Sequence, residues 1–108
     1  MKVQILKFDG FDWSGGNINK AQKHGVKIDE IEKFFEKELL VLPDEKHSQI
    51  EDRFIAVGPI RHDRTMFVSF TFRKKRGKIL IRPISARYTH KRESEIYENL
   101  KKTIQKEY

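Results

Sequence analysis

Ile79-Leu80-Ile81-Arg82-Pro83-Ile84-Ser85-Ala86-Arg87-Tyr88, followed at once by Thr89-His90-Lys91-Arg92-Glu93, is the stretch on which the fold turns. The apolar run reads as a buried strand, and the segment after it reads as the start of a basic helix capped by Thr89. The stretch joins the hydrophobic core to the most cationic surface of the chain. An active or binding surface is expected there.

Upstream of it the pattern stays β. Lys74-Lys75-Arg76-Gly77 is a Gly-bearing hairpin turn, residues 65–73 form the strand before it, and Arg61-His62-Asp63-Arg64 is a polar turn. Phe54-Ile55-Ala56-Val57-Gly58 is one strand further back, ended by Pro59, so that three consecutive strands make an antiparallel meander. Downstream, Ile96, Leu100 and Ile104 repeat every four residues in a terminal helix with Tyr97 alongside, a stripe expected to pack on the core or else to form a partner-facing groove.

The first half of the chain supplies the cover. Val3, Ile5 and Phe8 open a short strand; the Gly-rich loop through Gly16 follows, with Phe11 and Trp13 as its anchors. Asn17 caps a brief helix through Lys23 that closes at Gly25, and Asp29 with Glu32 has the form of a capping box for a second helix over 29–38. Leu39-Leu40-Val41-Leu42, closed by Pro43-Asp44, is a short buried strand. The expectation is an α+β domain over 1–108: an antiparallel β-meander sheet packed by two N-terminal helices and a C-terminal helix.

Composition narrows the function. The 108 residues carry a net charge of +7, and it is unevenly spread. Residues 1–52 hold eight Lys, no Arg and eleven acids; residues 53–108 hold seven Lys, eight Arg and five acids. Guanidinium groups suit phosphate because they donate in a planar fork, so confining every Arg to one half points to a nucleic acid. No apolar run approaches the length of a membrane span, and a cytoplasmic protein is expected. The chain has no Cys, its four His are dispersed, and it has neither a P-loop nor a dinucleotide fingerprint. Neither a cofactor nor a metal is expected.

Alternation along 65–73 puts Met66, Val68, Phe70 and Phe72 on the core and Phe67, Ser69, Thr71 and Arg73 on the other face. In the following strand, the parity that gives Leu80, Ile84 and Ala86 to the core gives Ser85 and Arg87 to that other face, leaving Arg82 among the apolar set and Pro83 at a bulge or an edge. A hydroxyl and guanidinium surface results, with His90, Arg92 and Glu93 at its rim. The bland use of Arg73 and Arg87 is an ion pair with the acidic helix of 29–38. A His at a helix N-terminus is favoured in its neutral form, able to act as a base.

The chain resembles the BrnT toxin family. The likeness rests on Phe11-Asp12-Trp13, Gly16-Asn17-Ile18, Lys23-His24-Gly25-Val26, the opening from Glu51 to Gly58, Phe67-Val68 through Phe72-Arg73, Ile84-Ser85-Ala86-Arg87, His90-Lys91-Arg92-Glu93 and Tyr97. It implies a small RelE-like ribonuclease toxin of a type II system that blocks translation by cutting RNA without a metal. It also implies a BrnA-like antitoxin as partner in an oligomeric complex, with operator DNA reached only through that antitoxin. The ribose 2′-hydroxyl would attack the adjacent phosphate. By the resemblance, Arg87 and Arg73 hold the phosphate, His90 or Glu93 moves the proton, and Arg53, Arg92, Ser85, Thr71 and Lys91 bind RNA. Ser14 departs from the family, where many relatives carry an acid after the Trp, and the basic hairpin at 74–77 is long. The competing readings are a non-catalytic nucleic-acid-binding module and a domain that only binds an antitoxin-like helix.

Overall fold

The structure, a computed structural model, describes residues 2–61 and 64–106. Six strands form one sheet: β1 (Lys2–Ile5), β2 (Gly10–Phe11), β3 (Glu38–Pro43), β4 (Arg53–Arg61), β5 (Arg64–Lys75) and β6 (Lys78–Tyr88), in the order β1-β3-β4-β5-β6-β2. The three helices are α1 (Asn17–Ala21), α2 (Ile28–Phe34) and α3 (Lys91–Lys106). The expected α+β class, the three helices and the antiparallel run β4-β5-β6 are all present. The sheet as a whole is mixed, because β2 lies parallel to β6.

That parallel pairing corrects the reading of Gly10-Phe11 as part of a turn. Two residues are too few to show alternation, so only their hydrogen bonds reveal the strand. Asp9 N–H donates to the Ile79 carbonyl at 2.8 Å and Asp12 N–H to the Ile81 carbonyl at 2.9 Å, closing the outer edge of β6.

The two faces have unequal cover. On the first, Ala21, Ile31, Phe34 and Phe35 close over Ala56, Met66, Val68 and Phe70, all fully buried. Phe70 is ringed by Phe35, Phe54 and Phe72 at centroid distances of 5.1–5.6 Å, edge-on or tilted arrangements that suit the aromatic quadrupole. Gly58 permits this closure, since a Cβ there would collide with the Leu39 side chain and crowd Phe34 at 3.3 Å. On the second face Leu40, Val57 and Tyr97 make a small buried cluster with Val3, Ile55 and Phe67 at its margin. Alternation along β5 is as expected, with Met66, Val68 and Phe70 inward.

Along β6 the expected parity breaks in the middle. Ser69 pairs with Ser85 but Phe70 pairs with Pro83, so Ile84 is an extra residue in the ladder. A bulge of one residue reverses every side chain beyond it. Ile81 is fully buried where Leu80 was expected, and Arg82, opposite Thr71, turns to the second face.

Helix ends also differ from expectation. The Asp29–Glu32 capping box does not form: α2 starts at Ile28, and the Glu32 carboxylate accepts Trp13 Nε1–H at 3.0 Å. Asn17 is buried in α1, donating from Nδ2 to the Asp12 and Pro83 carbonyls at 3.0 Å each, while Gly16 at φ 82° takes the cap position. Gly25, also at φ 82°, does close the helical turn as its residue type predicts. Among the described side chains of α3 Tyr97 alone is buried, whereas Ile96 and Leu100 are exposed, so these two members of the stripe do not pack on the core. Its third member, Ile104, and the predicted turn at His62-Asp63 lie outside the described residues and side chains.

Candidate nucleic-acid interface

The polar residues singled out in the sequence fall into two groups on the second face. At the α3 end, Arg87 lies over the Phe67 ring, 4.6 Å from its centroid, and forms two parallel hydrogen bonds at 3.0 Å to the Glu93 carboxylate. Glu93 also accepts the His90 backbone N–H at 3.0 Å. His90 thus occupies the cap position of α3 and Glu93 the third helical position, the reciprocal half of a capping box, one residue later than the expected Thr89 cap. Thr89 instead shares its hydroxyl with Thr65 and with Ser94, the latter at 2.6 Å, and those two lie 2.8 Å apart. These links bind the end of β6 to the first turn of α3.

Electrostatics follow from that geometry. The Arg87 guanidinium, helped by the His90 N–H and only partly opposed by desolvation, holds the Glu93 carboxyl down at about 2, and the same bond raises Arg87 above its ordinary value. A carboxylate so held is a weak base and is not protonated near neutrality, which limits its use as an acid. The His90 side chain, Lys91 and Arg92 are exposed on the first turn.

The second group sits at the far end of the same face. Arg73 Nη2 is 3.0 Å and Arg53 Nε 3.6 Å from the Glu51 carboxylate. Arg82 Nη1 donates to the Ser14 carbonyl at 2.7 Å and lies 3.4 Å from Asp12. Arg53, Arg73, Arg82, Lys20 and Glu51 line a cavity of about 230 Å³ beside Ile84 and the Gly15-Gly16-Asn17 turn. Glu51 is the one carboxylate among those lining residues. Two polar atoms at this site, Arg53 Nε and Asn17 Oδ1, are buried without a hydrogen-bond partner, so a ligand able to satisfy them would remove a desolvation cost.

Arg73 and Arg87 therefore do not converge. Arg87 pairs with Phe67, six residues along β5 from Arg73, a separation of about 20 Å at the strand rise. Neither pairs with the acids of α2, the bland alternative for both; each has its own carboxylate. Arg53 joins Arg73, whereas His90, Glu93, Lys91 and Arg92 gather near Arg87. Thr71 is buried and donates to the Asp52 carbonyl at 2.6 Å, which steadies the loop carrying Glu51. Ser85 faces Ser69 midway between the groups.

Three cavity residues escaped the sequence reading: Arg82, Glu51 and Lys20. Strict alternation through Pro83 puts Arg82 on the apolar side, and the Pro itself is the signal of a bulge. Ser14, the departure from the family pattern, donates its hydroxyl to Asp12 at 2.6 Å. That hydrogen bond is the main reason the Asp12 carboxyl lies at about 2, with the Ser14 N–H and Lys75 adding to it against desolvation.

Among the described residues no helix is long and apolar enough to cross a membrane. No curated protein matches the sequence. Residues 13–93 match the family described as "Ribonuclease toxin, BrnT, of type II toxin-antitoxin system", a span that includes the whole guanidinium cavity and ends at Glu93. Since that match covers most of the chain, the protein belongs to the BrnT family of type II toxin–antitoxin ribonuclease toxins, which implies an RNA substrate and an antitoxin partner.

Proposed function

We propose that the chain, as a single domain with a RelE-like relationship, is a metal-independent endoribonuclease acting in the cytoplasm. It blocks translation by cutting RNA at the Glu51–Arg53–Arg73–Arg82 cavity and is neutralised by a BrnA-like antitoxin in an oligomeric complex. The convergence of three guanidinium groups on one cavity, two of them sharing the Glu51 carboxylate, carries this reading. The scissile phosphate sits among Arg53, Arg73 and Arg82, whose N–H groups meet its non-bridging oxygens. Glu51 takes the 2′-hydroxyl proton as the O2′–P bond forms, and the guanidinium groups offset the charge that grows on the phosphorane. The P–O5′ bond then breaks, leaving a 2′,3′-cyclic phosphate, and the Lys20 ammonium is the donor at hand for the departing 5′-oxygen.

Arg87 and Glu93 take a positioning role in this reading, tying α3 to β6, while His90, Lys91, Arg92 and Ser85 supply contacts along the rest of the face. The test is RNA cleavage by folded Arg73→Ala, Arg82→Ala and Glu51→Gln variants beside Arg87→Ala. Loss of cleavage in the first three with retention in the fourth is expected. Full cleavage in Arg73→Ala and Arg82→Ala, with loss in a folded Arg87→Ala, would move the phosphate site to the α3 end. Tight binding of RNA that stays intact in the unmodified protein would favour the non-catalytic module.

A further inference from the structure

The cavity is one station on a longer feature. Through the strand register, β5 and β6 present successive cross-strand rows on the second face. Ser69 stands opposite Ser85, Thr71 lies between Arg53 and Arg82, Arg73 is opposite Leu80, and Lys75 is opposite Lys78. Pairing of β5 with β4 starts at Arg53 and Thr71, so the Arg73 and Lys75 rows project past β4 as an arm of β5 and β6, with β2 flanking β6 at Leu80. The arm turns tightly at Arg76 and Gly77, with φ values of 52° and 79°. Those positive φ angles are those of the hairpin turn that matches strand twist, so the arm is an ordered extension of the sheet.

Successive rows on one face are about 7 Å apart, roughly one nucleotide step along an extended strand. Each row from Thr71 outward carries at least one cation. Asp12 meets Lys75 at 3.3 Å and Arg82 at 3.4 Å, and Glu51 meets Arg73 and Arg53. Those two acids leave the five cations of the rows with an excess of three. No aromatic side chain stands in these rows, so bases find no stacking platform there. Lys74, opposite Ile79, points to the other face.

The geometry points to a phosphate track for single-stranded RNA running from the Arg53–Arg82 cavity along the second face of the β5–β6 arm, with Arg73, Lys75 and Lys78 as successive backbone contacts. The track is one nucleotide strand wide, and because it meets only phosphates it contributes affinity without reading sequence. It rests on the cavity as the place where RNA is cut, but its own prediction concerns binding and a face.

The experiment is binding of a fully 2′-O-methylated single-stranded RNA twelve-mer, which cannot undergo 2′-attack, over a salt series. It compares the unmodified protein with Lys78→Gln, Lys74→Gln and Lys75→Gln/Lys78→Gln. Lys78→Gln and Lys74→Gln remove the same charge from neighbouring exposed positions on opposite faces. The expected result is a Kd raised about fivefold by Lys78→Gln and about tenfold or more by the pair. The salt slope should fall by about 0.7 per track cation removed, while Lys74→Gln stays within twofold. Equal weakening by Lys78→Gln and Lys74→Gln would show a diffuse field and overturn the track, and so would tighter binding of the matching duplex. Face-dependent binding in a protein that leaves cleavable RNA intact would keep the track and reject the ribonuclease reading. Cleavage lost in Arg73→Ala with no face dependence would do the reverse.

Discussion

At one end of the second sheet face Leu40 and Val57 lie beneath Tyr97, with Phe67 and the Arg87–Glu93 pair at their margin; at the other end Arg73 stands beside Glu51, and the two Arg side chains are almost equally exposed, at 42% and 43%. The same strands run through both ends, and both contain an Arg bonded to a Glu at 3.0 Å. What differs is the third partner. At the α3 end the carboxylate is also fastened to the helix backbone through His90 N–H, so the bonds close on themselves. At the open end Glu51 is shared between two guanidinium groups, a third lies nearby, and a buried Nε has no hydrogen-bond partner. An Arg–carboxylate pair is thus no sign of function until its surplus is counted. The first group is satisfied, and the second holds more donors than its own acids can engage.

The largest expected effect breaks or makes that distinction. The double variant Arg73→Ala/Arg82→Ala should lower RNA cleavage by at least about a hundredfold, the size seen when preorganised donors to a developing oxyanion are removed. Most of any fall in its thermal midpoint should come from Arg82, which is 17% exposed and bonds the Ser14 carbonyl beside the buried Asp12, since the exposed Arg73–Glu51 pair contributes little stability. Single-turnover cleavage beside a melting curve checks both halves. A variant that cleaves normally but melts early would make the open end structural.

Tyr97→Ala should reverse the pattern. Tyr97 is the buried side chain of α3 among those described, so its truncation should cost about 2–4 kcal/mol in denaturant unfolding. Cleavage by the protein that stays folded should be nearly unchanged. The companion Tyr97→Phe sharpens the point with a smaller change of opposite sign. The Tyr97 hydroxyl is buried without a partner, and burial, with Glu98 and Glu38 nearby, pushes its ionisation up to about 12. Removing that oxygen should leave stability unchanged or raise it by about 1 kcal/mol. A loss of similar size would mean that the hydroxyl is bonded in solution.

Much of the frame was legible because its signals are periodic. Met66, Val68 and Phe70 alternate, and the meander from Arg53 to Tyr88 follows from such runs and from the Gly77 turn. Thr71 and Arg73 stand on the second face as alternation along 65–73 requires. The failures share one cause, a local irregularity that changes what periodicity means. One extra residue at Ile84 turned Arg82 from the apolar set into the cavity. Two residues at Gly10-Phe11 made the sheet mixed. Glu51 sits in a loop, where no period applies, and enters the site through the Thr71 hydroxyl bond to the neighbouring Asp52 carbonyl. Long-range placement of this kind depends on tertiary bonds that short windows of sequence do not contain.

The smallest expected effect separates the ends by how each holds a carboxylate. Glu93 at the α3 end and Asp12 near the open end both lie at about 2, below ordinary values of 4.5 and 3.8. A depressed carboxyl contributes stability that is complete above its unfolded value and is lost as pH falls through the folded one. Both contributions should therefore fade between about pH 4.5 and 2. The main partner of Glu93 is the charged Arg87, part-exposed to solvent, so its share is about 1 kcal/mol or less and should shrink in salt. The main partner of Asp12 is the neutral Ser14 hydroxyl, so that its share should survive salt better. Unfolding of the parent, Glu93→Gln and Ser14→Ala at pH 6 and pH 3, each at 0.05 M and 0.5 M salt, checks this. Glu93→Gln should flatten the pH dependence mainly at low salt, and Ser14→Ala about equally at both. The same salt response in the two variants would mean that both carboxylates are held by charge, and the contrast between a closed end and an open end would then rest on cleavage and binding alone.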